Sequence, residues 1–180
     1  MEIVLSEKVI KERVRDLAQE ISSYYSKQNC SRLYVVGILR GGFIFLADLV
    51  RELSIPVEID FVWASSYGGS TKTSGSVSLK RDLDFDIAGK DVMVVEDIVD
   101  TGLTMDFMLK HLATKNPKSL HVCSLLHKPA RELKPIPIKF LGFKIEDQFV
   151  VGYGLDFNNH YRELKDLVIL DKESIHAGNH

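Results

Sequence analysis

Cysteine is almost missing from this chain. Cys30 and Cys123, far apart in 180 residues, are its two cysteines, so no disulfide framework is expected and a reduced, cytoplasmic setting is. No apolar run is long enough to cross a bilayer. The start, "MEIVLSEKVIKERVRD", lacks a basic segment followed by an apolar one, so neither a membrane partner nor a signal peptide is expected. Neither sign of charge dominates: 23 Lys and Arg face 25 Asp and Glu, a net charge of -2. That balance argues against a protein that coats nucleic acid. The six histidines show no HExxH or Cys/His ligand spacing, so no zinc site is read. The Walker pattern is absent, Gly89-Lys90 being followed by Asp91, and the dinucleotide glycine fingerprint is absent too.

What is present is an ordinary core. Hydrophobic residues make up 45% and charged ones 27%, enough for one globular domain. From Val9 onward Ile10, Val14, Leu17, Ala18, Ile21 and Tyr25 recur at steps of three and four, which predicts an amphipathic helix with Ser6 as its cap. "RLYVVGIL", "VEIDFVWA", "DVMVV" and "SLHVCSLL" read as buried strands, with helices through "FIFLADLVREL" and "MDFMLKHLA". Alternating strands and helices predict an α/β fold, a mainly parallel sheet covered by helices. "SSYGGSTKTSGS", Ser65 to Ser76, reads on composition as a surface loop. From Lys139 the short runs "KFLGFKI", "FVVGYGL" and "LVIL" predict a small subdomain capping the sheet.

One stretch departs from this pattern. In "VVEDIVDTGLTM", Val94 to Met105, an apolar strand ends in Glu96 and Asp97, and Asp100, Thr101, Gly102, Leu103 and Thr104 lead into a helix. In parallel sheets ligands bind beyond the carboxyl ends of the strands. The first turn of the helix offers free N–H groups and a dipole that favours an anion. The threonines add hydroxyl donors, and Gly102 lets the backbone come close. A phosphate fits that half. The acid pair, acceptor-only when ionised, fits sugar hydroxyls. Together they describe a phosphorylated ribose. Taken alone, Asp100 and Thr101 could equally cap a helix above a solvated acid pair.

Over its twelve residues the stretch resembles the phosphoribosyl-diphosphate signature of the type I phosphoribosyltransferases, in the form carried by those that act on hypoxanthine. The resemblance extends from about Val35 to Leu170. It implies one domain over residues 1–180, with a small hood from the N-terminal segment and roughly 135–180. It also implies transfer of a phosphoribosyl group from phosphoribosyl diphosphate to a 6-oxopurine, with Mg2+, in a homodimer or homotetramer. Glu96, Asp97 and the Asp100–Thr104 turn would bind phosphoribosyl, with Asp100 as acid/base near purine N7. "GILRGG" resembles the diphosphate loop (Leu39, Arg40 and Gly41), where the family often has a cis Leu39–Arg40 peptide, and Arg162 would also meet diphosphate. Ser66 and Tyr67 would belong to a closing lid. Lys128 would donate to the purine 6-oxo group, Phe149 would stack on the base, and the backbone of Val150 would meet the purine edge. Asp156, with Glu96 and Asp97, would hold magnesium. Two alternatives stand beside this reading: a relative preferring xanthine or guanine, and a non-catalytic regulator that senses phosphoribosyl diphosphate.

Overall fold

The computed structural model describes residues 1–66 and 77–170. Its elements run β1 (Glu2–Leu5), α1 (Glu7–Lys27), β2 (Leu33–Leu39), α2 (Phe43–Glu52), β3 (Val57–Ser66) and β4 (Val77–Arg81). They continue with β5 (Asp91–Val99), α3 (Leu103–Ala113), β6 (Ser119–His127), β7 (Ile138–Lys144), β8 (Val150–Val151) and β9 (Leu167–Ile169). Six strands form one sheet in the order β4-β3-β2-β5-β6-β7. All its pairings are parallel except that of β4, which lies antiparallel on the edge. The α/β, mainly parallel architecture is therefore the one the strand–helix alternation predicts.

Burial on both faces explains why these strands are apolar at successive positions. Val35, Met93, Val95, Cys123 and Leu125 face α1 and α2 on one side. Val36, Val62, Val92, Val94 and Val122 face Met105, Met108 and Leu112 of α3 on the other. In α1 the six predicted positions from Ile10 to Tyr25 are all buried, and the Val9 N–H donates to Ser6 Oγ at 3.4 Å. That weak cap starts the helix where the sequence places it.

The C-terminal third corrects the sequence reading in part. "KFLGFKI" is not in the cap: β7 extends the main sheet, parallel to β6. The second sheet is smaller, in the order β1-β9-β8, with antiparallel pairings. Val151, Val168 and Leu170 are its core, with Phe157, Tyr161 and Leu164 packed on them. The Glu7 N–H donates to Asp166 Oδ1 at 2.6 Å and ties α1 to this sheet. β5 is longer than "DVMVV": it runs to Val99, so Glu96 and Asp97 lie within the strand. No helix among the described residues is long and apolar enough to cross a membrane.

Candidate active site

Because β2, β5 and β6 are parallel, their carboxyl ends open on the same side, and most of the predicted residues gather there. Beyond β5 the chain turns sharply at Gly102, whose φ of 81° is a left-handed conformation suited to glycine. The N–H groups of Leu133 and Lys134 donate to the Thr101 carbonyl at 2.9 and 3.0 Å. A Cβ on Gly102 would overlap the Lys134 carbonyl, so the turn needs glycine for space as well as for angle. α3 begins at Leu103, and a small cavity lies between Glu96–Gly102 and Thr104–Met105. Thr101, Gly102, Leu103 and Thr104 thus surround the N-terminal turn of a helix, which is suited to an anion.

A larger cavity adjoins it. It is lined by Leu39, Arg40 and Gly41, by Glu96 and Asp97, and by Asp156 and Arg162. The Leu39–Arg40 peptide is cis. Gly41 is wedged in place: a Cβ there would overlap the Asp97 carboxylate, and a Cβ on Gly154 would overlap the Gly41 carbonyl. The second sheet therefore meets the Arg40 loop backbone to backbone. Arg162 donates from Nη1 to the Gly154 carbonyl at 2.6 Å and pairs through Nη2 with Asp156 Oδ1 at 2.7 Å. The Asn159 N–H donates to Asp156 Oδ2 at 2.8 Å. Carboxylate and guanidinium hold each other over the cavity.

Glu96 and Asp97 are 9% and 7% exposed, yet no cation among the described residues bonds to them directly. Burial first, then the neighbouring Asp97 charge, pushes the Glu96 carboxyl well above its usual range. Burial raises Asp97 too, against the opposing pull of its bond with Glu96, its backbone hydrogen bonds and the charge of Arg162. Two buried acids side by side do not both ionise readily.

The predicted base-side residues lie beyond the next strand. Lys128, 5% exposed, follows β6 and donates from Nζ to the Gln148 carbonyl at 2.6 Å. Its own N–H donates to the Val99 carbonyl at 3.0 Å, which ties it to the end of β5. Phe149 is 46% exposed and meets Phe157 edge to face at 5.6 Å, leaving ring surface open, whereas Val150 is buried. None of these three lines the larger cavity. Ser66 ends β3, but its side chain and Tyr67, the two lid positions, lie outside the described residues.

Three residues absent from the sequence reading also belong here. Arg131 places Nε 3.1 Å from Asp100 Oδ1 and Nη1 3.7 Å from Asp147 Oδ1. The contact to Asp100 is close enough for an ion pair but too bent for a hydrogen bond, so that buried oxygen has none. Pro129, opening a short turn after Lys128, was the available signal, since a turn there curls Arg131 back over the strand end. Trp63 and Lys80 line the larger cavity, and only strand pairing brings them to it.

Fold and site together define a phosphoribosyltransferase: residues 2–158 match the family model described as "Phosphoribosyl transferase domain". The hypoxanthine phosphoribosyltransferase of Salmonella typhimurium is 45% identical over 175 residues, covering 96% of this chain and 98% of that protein. A crystal structure of a hypoxanthine-guanine phosphoribosyltransferase from Bacillus anthracis superposes with a TM-score of 0.89 at 40% identity, covering 95% and 99% of the two chains. A mutant of the Trypanosoma cruzi hypoxanthine phosphoribosyltransferase, complexed with the product IMP, gives 0.93 at 35% identity over 99% and 94%. The chain belongs to the phosphoribosyltransferase family, in its hypoxanthine branch.

Proposed function

We propose that this chain is a purine-salvage enzyme that transfers the 5-phosphoribosyl group from phosphoribosyl diphosphate to hypoxanthine, and to guanine, releasing diphosphate. The observation that carries this is the convergence at one sheet end of an anion-binding turn, a buried acid pair and the Leu39–Gly41 loop. The Thr101–Thr104 turn takes the 5-phosphate, Glu96 and Asp97 accept from the ribose hydroxyls, and Arg40 and Arg162 meet the diphosphate.

Purine N9 attacks the anomeric carbon of the ribose as the bond to diphosphate breaks, and positive charge builds on the sugar. The protein contributes placement and electrostatics more than covalent chemistry. Asp100 exchanges a proton with purine N7 in this reading. Lys128 gives up its bond to the Gln148 carbonyl and donates to the 6-oxo group, while Phe149 covers the base and the Val150 backbone meets its edge. The Ser66-Tyr67 segment closes as a lid that keeps water from the reacting carbon. The β1-β9-β8 sheet is the hood, supplying Asp156 and Arg162 from its connecting segment.

The carboxylates present fit magnesium. They are hard oxygen donors, and among the described residues no three His, Cys, Asp or Glu side chains form a cage. Magnesium commonly takes one or two carboxylates and completes its shell with water and phosphate oxygens. Asp156 on one side, or Glu96 and Asp97 on β5, would hold the ion through one or two carboxylates, and when bound it would neutralise the leaving diphosphate as a Lewis acid. The working form is a cytoplasmic homodimer or homotetramer. The decisive experiment mixes the protein with hypoxanthine, phosphoribosyl diphosphate and magnesium and follows diphosphate and IMP. Equal release of both is expected; binding of phosphoribosyl diphosphate without turnover would instead describe a sensor.

A further inference from the structure

Two residues of the larger cavity, Trp63 and Lys80, belong to neither the phosphate turn nor the carboxylates. Trp63 is the chain's only tryptophan. It pairs in register with Leu39 across β2 and β3, which sets it beside the first residue of the Leu39–Gly41 loop. Lys80 comes from the edge strand β4, and its Nζ lies 5.3 Å from the centroid of the Trp63 ring. The cavity has three cations among the described residues, and they differ in what they already hold. Arg162 is engaged by Asp156 and the Gly154 carbonyl. The side chains of Arg40 and Lys80 have no carboxylate or hydrogen-bond partner among the described residues.

We propose that Lys80, resting on the Trp63 ring, is a second cationic contact for the diphosphate group, beside Arg40. The proposal deepens the reading of this cleft as a phosphoribosyl-diphosphate site and rests on it. Diphosphate carries more negative charge than one free guanidinium offsets, and charge-assisted bonds to phosphate oxygens are the strong ones. An aromatic face attracts an ammonium without neutralising it, as a carboxylate would. Lys80 is thus held near the cavity with its charge intact. Its compact head, with three rotatable donors, can follow phosphate oxygens from the bound to the leaving state. The plain alternative is that Lys80 only keeps an exposed edge strand from pairing with other chains, a common use of lysine. That role would need no ring beneath it and no place in the cavity wall.

The test is calorimetric titration of the unmutated protein and of Lys80→Met with magnesium diphosphate, phosphoribosyl diphosphate and IMP. Lys80 is exposed on an edge strand, so the variant keeps its fold. Affinity for the first two ligands should fall about tenfold, the scale of one charge-assisted contact. IMP, which has no diphosphate and so makes no charge-assisted contact with Lys80, should bind within about twofold of the unmutated protein. Lys80→Arg, which keeps the charge, should recover most of the loss. Unchanged diphosphate affinity in Lys80→Met, or an equal loss for IMP, would overturn the role of Lys80 alone. If the unmutated protein bound IMP but neither diphosphate ligand, the reading of the cleft would fall, and Lys80 with it.

Discussion

Strands β5 and β6 lie side by side, and their two ends treat charge in opposite ways. At the amino end Asp91 accepts from Lys118 Nζ at 2.9 Å and from Ser119 Oγ at 2.7 Å. Burial works to raise the Asp91 carboxyl, but the hydrogen bonds from Ser119 and Lys118 outweigh it and hold it below its usual range. At the carboxyl end Glu96 and Asp97 are similarly buried and are pushed up instead. Lys128, at the far end of the strand that Lys118 precedes, has a backbone carbonyl for a partner where Lys118 has a carboxylate. The strand-end acid is matched by a lysine at one end of the sheet, whereas the Glu96–Asp97 pair has no such direct partner among the described residues at the other.

The largest expected consequence concerns Lys128. Adenine presents a donor where hypoxanthine presents the 6-oxo acceptor, so kcat/KM for adenine should be lower by ~10⁴. Lys128→Gln, whose amide can also accept, should narrow that gap, mainly by harming hypoxanthine. Comparable use of adenine by the unmutated protein would mean that the unmatched lysine does not read the base. Next comes Asp100→Asn, expected to slow single-turnover chemistry by ~10²–10⁴ with little change in phosphoribosyl diphosphate binding. An unchanged chemical step would remove Asp100 from the proton path.

Two variants on β5 ask whether its ends differ. Asp91→Asn gives up a charged acceptor with two donors and should destabilise the protein by ~1–3 kcal/mol in urea, with kcat unaltered. Glu96→Gln removes one of two crowded acids; it should leave the free protein as stable or up to ~1 kcal/mol more so, while weakening phosphoribosyl diphosphate binding. Equal destabilisation by both would mean that the two ends do not differ.

How much of this was legible beforehand depends on range. The six buried positions of α1 and the strands flanking β5 follow from local period, and the structure has them. The turn from β5 into α3 was legible because its small and polar residues lie at short spacing between an apolar strand and a helix, and the structure has it at Gly102. β1 and β4 were not, being four and five residues long and stabilised by partners distant in sequence. β7 was misplaced because an apolar run does not say which sheet it joins. Trp63 and Lys80 were unreadable for the same reason, since a lone exposed residue enters a site only through cross-strand register.

The smallest effect is one of pH. Asp82 lies beside the end of α3, with His111 Nε2 at 2.9 Å and Lys115 Nζ at 2.8 Å. Burial would raise its carboxyl, but Lys115 and His111 beside it, with the Leu83 N–H, outweigh it and bring it to about 2 from an ordinary 3.8. A folded value below the unfolded one means stability that is present above pH 3.8 and lost as the pH falls through about 2. Urea midpoints of Asp82→Asn and the unmutated protein should therefore differ near neutrality, by under ~1 kcal/mol for so exposed a pair, and converge on acidification. A gap that widened in acid would reverse the sign.

The β1–β9 pairing joins the first strand of the described residues to their last. The hydrogen bond from Glu7 to Asp166 joins residues 159 apart in sequence. During synthesis the main-sheet strands, Leu33 to Lys144, leave the ribosome well before Asp156, Arg162 and β9. A nascent chain can thus complete its large sheet and the Thr101–Thr104 turn before the residues of the second sheet follow. A chain stalled before residue 150 would have the Thr101–Thr104 turn but neither Asp156 nor Arg162.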